Sequence, residues 1–216
     1  MLVLRKCRAS VPPMIKLYGN AMSTCTRKVL CTLHETNTQF ELVTIDFGKG
    51  EHKQPPHMAH QPFGQVPAID DDGFAMYESR AIARYIDAKA GGKLTPTDLK
   101  HRAKMEQWIS VETENFTPHA MKFVYEHIFK RPQGEEVIKN ATTRLELACS
   151  VLDKNLAGKT FMVGDQFTIA DITYAPYIEY AMGTPAKDIF AKHANFMAWW
   201  GRVHERPSWT KAAGRA

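Results

Sequence analysis

The chain has 216 residues, enough for one large or two small globular units with a sizeable core. Its net charge of +5 suits an acidic partner, but Arg5, Lys6 and Arg8 lie in an acid-free opening stretch, and the rest sets 25 basic against 23 acidic side chains. That leaves no strong nucleic-acid footprint, and no apolar run nears the roughly 18 residues that cross a bilayer.

The four cysteines, Cys7, Cys25, Cys31 and Cys149, match neither a zinc site nor a dithiol pair, so a reduced, cytoplasmic protein without metal is expected. Residues 1–13 are basic, contain Ser10, Pro12 and Pro13, and read as an extension expected to be disordered. Their apolar run is too short for a secretory signal. Translation from upstream of a start at Met14, a cloning remnant and a mobile tail are each compatible with them.

Ile15 to Tyr18 is a short predicted strand, and Gly19 to Met22 a loop. A helix is expected from about Ser23 to Glu35, with Val29, Leu30 and Leu33 on its apolar face. Phe40 to Asp46 holds the β-branched run Val43-Thr44-Ile45 and reads as a second strand. A polar stretch from Phe47 to Gln54 leads into a short helical or irregular piece ending near Gln61. Asp72-Gly73 is a two-residue turn signal between Val66–Ile69 and Phe74–Tyr77, which predicts a hairpin. Ile82, Tyr85 and Ile86 repeat at helical spacing, so a helix should run from Ser79 to Lys89 with Ser79 as its N-cap. The order is βαβαββα, the thioredoxin arrangement, with a parallel pair and an antiparallel hairpin in one sheet.

Ala90-Gly-Gly-Lys-Leu-Thr-Pro96 is a connector by composition, and everything beyond it reads as helix. Val137, Ile138, Ala141, Leu145, Ala148, Cys149, Leu152 and Leu156 form one core-facing stripe. Trp199, Trp200 and Val203 belong to a helix that ends before Pro207. Thr168 and Asp171 have capping-box spacing, with Phe167 and Ile172 placed as a hydrophobic staple. The fold class is therefore α/β followed by all-α: an extension at 1–13, a thioredoxin-like unit at 14–90, a connector at 91–98 and a helical unit at 99–216.

Phe63-Gly-Gln-Val-Pro-Ala68, followed by Glu78-Ser-Arg-Ala-Ile82, resembles the glutathione-binding core of the glutathione S-transferases. Gly50-Glu-His-Lys53 and Met22-Ser-Thr-Cys-Thr-Arg-Lys-Val29 resemble the phi class of that family. The resemblance runs from about Met14 to about Lys211. It implies a cis peptide before Pro67, with the Val66 backbone turned to pair with the cysteinyl part of glutathione. It implies that Glu78 and Ser79 hold the γ-glutamyl end and that His52 and Lys53 hold the glycyl carboxylate. Gln65 can supply an amide hydrogen bond to the same ligand. It implies a homodimer with its active sites between the two units, and a role in detoxification.

Ser23 falls on the catalytic serine of the phi class. As a plain residue it is a helix N-cap. The same position suits a catalyst, because helix dipoles and a hydroxyl donor both favour a thiolate over a thiol. Ser23 would thus stabilise the glutathione thiolate for attack on a hydrophobic electrophile, and some relatives also reduce organic hydroperoxides. Thr24, Phe47, Phe116, His119 and Phe123 are the candidate electrophile pocket, although the last three suit interhelical packing equally well. Two alternatives stand beside this reading. One is a Cys25-based thiol transferase that forms a glutathione mixed disulfide; the other is a non-enzymatic carrier of hydrophobic ligands. Glutathione is the only co-substrate implied, with no metal, nucleic acid or membrane partner.

Overall fold

In the computed structural model, which describes residues 14–215, the first strand, β1 (Ile15–Gly19), turns Ile15 and Leu17 into the core and Lys16 outward. This is the period of two that an extended chain imposes. β1 pairs in parallel with β2 (Phe40–Thr44), where Leu17 faces Leu42, and antiparallel with β3 (Ala68–Asp71), where Leu17 faces Ile69. β3 turns into β4 (Phe74–Tyr77), which completes a sheet of order β2-β1-β3-β4. The turn residues Asp72 and Gly73 have φ of 54° and 87°, the backbone that an Asp-Gly hairpin turn requires. The extension at 1–13 lies outside the described residues.

Helices α1 (Thr24–Glu35) and α3 (Ser79–Lys89) pack on one another. They bury Val29, Leu33, Ile82 and Ile86 completely with Ile69 and Leu17, at about 1.5–3 kcal/mol for each such side chain. The short α2 (Pro55–Met58) lies between β2 and β3 in sequence. The observed order is βαβαββα, as expected.

β1 runs one residue past the expected Tyr18, and three further boundaries differ from the sequence reading. β2 stops at Thr44 because the Asp46 carboxylate accepts the N–H groups of Gly48 and Lys49 at 2.8 and 3.2 Å and bends the chain into a turn. β3 begins at Ala68 and not at Val66, since Pro67 has no N–H to give a ladder. Glu78, not Ser79, occupies the N-cap of α3, and Ser79 is its first helical residue.

The second half consists of α4 (Leu99–Val111), a π-helical turn (Glu112–Phe116), α5 (Thr117–His127), α6 (Glu135–Leu156), α7 (Ile169–Ala181), α8 (Ala186–Phe190), α9 (Ala194–His204) and α10 (Pro207–Ala212). The α6 stripe is buried from Ala141 to Leu156, but Val137 is exposed; it lies one step around the helix from the partly buried Ile138. Trp199, Trp200 and Val203 are buried on α9. The connector is tied down despite its glycines. The fully buried Asp87 carboxylate accepts the Leu94 N–H at 2.8 Å and the Thr95 hydroxyl at 2.7 Å, and Leu94 enters the core.

α7 starts from the expected capping box, with Phe167 and Ile172 both buried. Asp171 does more than cap. One carboxylate oxygen accepts the Thr168 N–H at 2.8 Å and its hydroxyl at 2.9 Å. The other accepts the Met162 N–H at 2.9 Å and the Trp199 indole N–H at 2.8 Å. This buried carboxylate thus joins α7, α9 and the Phe161–Gln166 loop. Asp171→Ala should cost about 3–5 kcal/mol, because four buried donors lose their acceptor. Thr168→Ala leaves the backbone donor in place and should cost about 1 kcal/mol. Urea denaturation of the two variants measures the difference directly.

Candidate functional site

Register alone gathers the candidate residues. Tyr18 of β1 faces Ala68 of β3, which faces Tyr77 of β4. The loop after β1, the residues just before β3 and those just after β4 therefore share one edge of the sheet. Ser23 lies in the first group, Gln65, Val66 and Pro67 in the second, Glu78 and Ser79 in the third. Gly19 faces Thr44 at the end of β2, so the segment carrying Phe47, His52 and Lys53 leaves from the same edge.

Ser23 is the N-cap of α1, with extended backbone, and its Oγ accepts the Thr26 N–H at 3.3 Å. Among the described residues its hydroxyl donates to no protein group, and the first turn of α1 carries no acidic side chain. The approach to Ser23 is held by Asn20, which donates to the Ile45 carbonyl at 3.0 Å and accepts the Met22 N–H at 2.9 Å.

Gly50, at φ 68°, opens the one-turn 3-10 helix Glu51–Lys53. Glu51 steadies it by accepting the Asp46 N–H at 2.8 Å. His52 meets Phe47 edge-on with ring centroids 5.2 Å apart. Lys53 is exposed and donates to the Phe63 carbonyl at 3.0 Å. Gly64 has φ of 59°, and a Cβ there would lie 2.8 Å from the His52 carbonyl oxygen, so only glycine lets these two loops meet. The Val66–Pro67 peptide is cis, as the resemblance implied.

Glu78 has φ of 72° and ψ of 103°, a conformation that costs a non-glycine residue on the order of 1–3 kcal/mol and recurs at functional sites. Ser79 is buried behind it, and Arg80 grips the fully buried Glu112 with three contacts of 2.7–2.8 Å. α3 is thereby locked to the π-helical turn of the helical half.

α7 packs against α1 and the loop before it. The Tyr180 hydroxyl donates to the Met22 carbonyl at 2.6 Å, and the Arg27 guanidinium lies 5.0 Å from the Tyr180 ring centre. Phe129, half exposed, flanks Tyr180 with centroids 6.0 Å apart. The fully buried Lys28 donates to the Tyr177 hydroxyl at 2.6 Å. Sequence reading missed Tyr177, Tyr180 and Phe129. The signal available was the three-residue spacing of Tyr174, Tyr177 and Tyr180, which equally describes a core stripe.

Of the expected pocket residues, Thr24 is half-buried at the start of α1 and Phe47 is 42% exposed. Phe116 must be reassigned. It is fully buried among Tyr174, Phe190 and Phe196 and is part of the helical core. Phe123 is likewise buried, on the core side of α5. His119 lines a separate groove of about 610 Å³ with Asn140 and Arg144, whose walls come wholly from the helical half.

Cys25 is half-buried beside Tyr177, with its sulfur 3.8 Å from the hydroxyl. Burial pushes its thiol up. The Lys28 ammonium, hydrogen bonds from Ser79 and Tyr177, and the Arg80 charge outweigh that and hold it below the ordinary value. Burial pushes Cys31 up to about 12, and Cys149 higher still. Among the described residues no three His, Cys, Asp or Glu side chains converge as metal ligands, and no helix is long and apolar enough to cross a membrane.

Comparison with known proteins agrees with this geometry. Residues 13–88 match the profile of the glutathione S-transferase N-terminal domain and residues 116–207 that of its C-terminal domain. A glutathione S-transferase of the F series from Arabidopsis thaliana is 36% identical over 92% of this chain and 96% of its own. One from Silene vulgaris is 37% identical over 91% and 95%. Among solved structures, an F-series glutathione transferase from Populus trichocarpa superposes with a TM-score of 0.87 at 35% identity, covering 94% of this chain and 99% of its own. A maize glutathione S-transferase I, solved with an atrazine glutathione conjugate, gives 0.85 at 29% identity over 94% and 97%.

The strained backbone of Glu78 offers a test of the glutathione contact expected at this residue. Glu78→Gly should raise unfolding stability by about 1 kcal/mol, since glycine adopts this φ without strain. The same change should weaken glutathione binding by about 1–3 kcal/mol through loss of the carboxylate. Denaturation and calorimetry on one preparation read the two effects, and opposite signs are expected.

Proposed function

The chain belongs to the phi class of the glutathione S-transferases and is a glutathione transferase enzyme, and from that premise we propose that Ser23 is its catalytic residue, acting on the glutathione thiolate. The observation that carries this reading is the Ser23 hydroxyl at the N-cap of α1. It accepts one backbone N–H and keeps its own proton for an incoming anion.

Glutathione would lie along the sheet edge. Its glycyl carboxylate would meet His52 and Lys53. Its cysteinyl backbone would pair with Val66 beside Pro67, with Gln65 adding an amide contact. Its γ-glutamyl end would reach Glu78 and Ser79. The sulfur then sits at the start of α1, where the peptide dipoles and the Ser23 O–H favour the anion. The thiol proton leaves to solvent. The thiolate attacks the electrophilic carbon, the C–S bond forms, and the leaving group departs with the electron pair of its bond. A hydrophobic electrophile would enter between Thr24, Phe47 and the Tyr180–Phe129 wall. Reduction of an organic hydroperoxide by the same thiolate would use the same residues.

We place the glutathione-binding unit at 14–90, the connector at 91–98 and the helical unit at 99–216. Assembly as a homodimer, a cytoplasmic location and a role in detoxification complete the proposal. Cys25 supports a second reading, because the Lys28 ammonium and the Ser79 hydroxyl both favour its thiolate. A Cys25 thiolate would attack a glutathione mixed disulfide and release the other thiol.

Ser23→Ala should lower turnover with an aryl halide roughly 10- to 1000-fold, the usual effect of losing an oriented donor to an anion. Glutathione affinity should change little, and the bound thiol should ionise at higher pH, because the lost donor favoured the charged form. Cys25→Ser should leave conjugation near the parental rate. An unshifted thiolate absorbance titration in Ser23→Ala would refute the serine mechanism. A mixed-disulfide reductase activity abolished by Cys25→Ser would establish the second reading.

A further inference from the structure

The peptide that would present Val66 to glutathione is held from beneath by two side chains with no part in the site described above. His57 on α2 is 4% exposed, and Gln61, one helical turn further on, is 2% exposed. The His57 Nε2 lies 2.5 Å from the Gln65 carbonyl oxygen. A carbonyl only accepts, so Nε2 carries the proton. The Gln61 Oε1 accepts the Phe63 N–H at 2.7 Å and the Gln65 N–H at 3.2 Å. The Gly64 N–H is taken by the Gln61 backbone carbonyl at 3.0 Å. Both backbone groups of Gln65 are thus fixed by buried side chains, immediately before Val66 and Pro67. Tyr18 stacks on His60 with centroids 4.3 Å apart and holds this segment against the sheet.

We propose that His57 and Gln61 are positioning residues, which pre-form the Gln65–Val66 backbone in the conformation that pairs with glutathione. A ligand bound through main-chain groups gains most from a backbone already ordered. Freeing one residue costs its conformational entropy again at each binding event, roughly tenfold in affinity. Buried donors and acceptors are a better device for this than surface contacts, because water does not compete with them. Their side-chain hydrogen bonds go to the Phe63–Gln65 backbone and not to Ser23. Their effect belongs to binding of glutathione and not to the chemical step. This inference rests on the proposed glutathione site.

The test compares His57→Leu, His57→Gln and Gln61→Met in the full chain with the parent. His57→Leu removes the donor, His57→Gln returns an N–H near the Nε2 position, and Gln61→Met removes the acceptor at similar volume. Calorimetry with glutathione and steady-state kinetics with an aryl halide are the first two readouts. Amide hydrogen exchange of Gly64 and Gln65 without ligand is the third. The expected result is a rise of about tenfold in the Kd and KM for glutathione in His57→Leu and Gln61→Met. Turnover at saturating glutathione and KM for the halide should stay within about twofold, exchange of the two amides should quicken, and His57→Gln should recover most of the loss. If His57→Leu does not fold, Gln61→Met carries the same expectation. Parental glutathione affinity and parental exchange in a folded variant would overturn the proposal. So would equal losses in turnover and both KM values. A parent that binds no glutathione would instead overturn the site reading and this inference with it.

Discussion

The bond between Arg80 and Glu112 holds the two halves of the crevice in place. Glu112 has no exposed surface, and Arg80 meets both of its carboxylate oxygens. Two charges taken out of water attract strongly only when their geometry is good, and losing one partner of such a pair typically costs about 3–5 kcal/mol. Arg80 directly follows Ser79, and Glu112 opens the π-helical turn between α4 and α5. π-turns often occur at functional sites because they turn one side chain out of the regular helical register. Here the first residue of the π-turn is the one that fastens the start of α3 to the helical half. The Thr117 hydroxyl bonds the same carboxylate.

Other bonds repeat that constraint along α1. Arg206 grips Glu35 at 2.8 and 2.9 Å, Lys28 reaches Tyr177, and Tyr180 reaches the Met22 carbonyl. α1 is thereby fixed at both ends against α7 and α10. A hydroxyl that stabilises an anion works best when nothing has to reorganise around it. The N-cap of α1 meets that condition because its loop is bonded through Asn20 to Ile45, just beyond β2, and to α7 through Met22. The strained Glu78 backbone is tolerated for a similar reason. It lies between a sheet strand and a helix that are both anchored elsewhere.

Much of the fold could be read from local chemistry. Asp72-Gly73 marked the hairpin because few other pairs accept two positive φ values. The capping box at Thr168 and the stripe from Ala141 to Leu156 were legible because caps and helical periodicity are properties of neighbours in sequence. The resemblance carried by Phe63 to Ala68 and by Met22 to Val29 foretold the cis Val66–Pro67 peptide and the family.

What local chemistry could not decide was which apolar side chain meets which neighbour. Phe116 and Phe129 are both aromatic residues near α5, yet one is sealed among Tyr174, Phe190 and Phe196 and the other is half exposed beside Tyr180. Tyr180 and the buried Tyr177 met their partners only when α7 packed on α1, about 150 positions earlier in the chain. The Asp171 carboxylate serves Met162 and Trp199 only because α7, α9 and a loop converge on it. Sequence determined the elements, their caps and turns, and the residue types offered at the sheet edge, since each depends on a few adjacent residues. Tertiary structure alone decided burial, the packing of α7 on α1 and the bracing of the Gln65 loop. Those depend on distances between segments far apart in the chain, which packing sets and periodicity does not record.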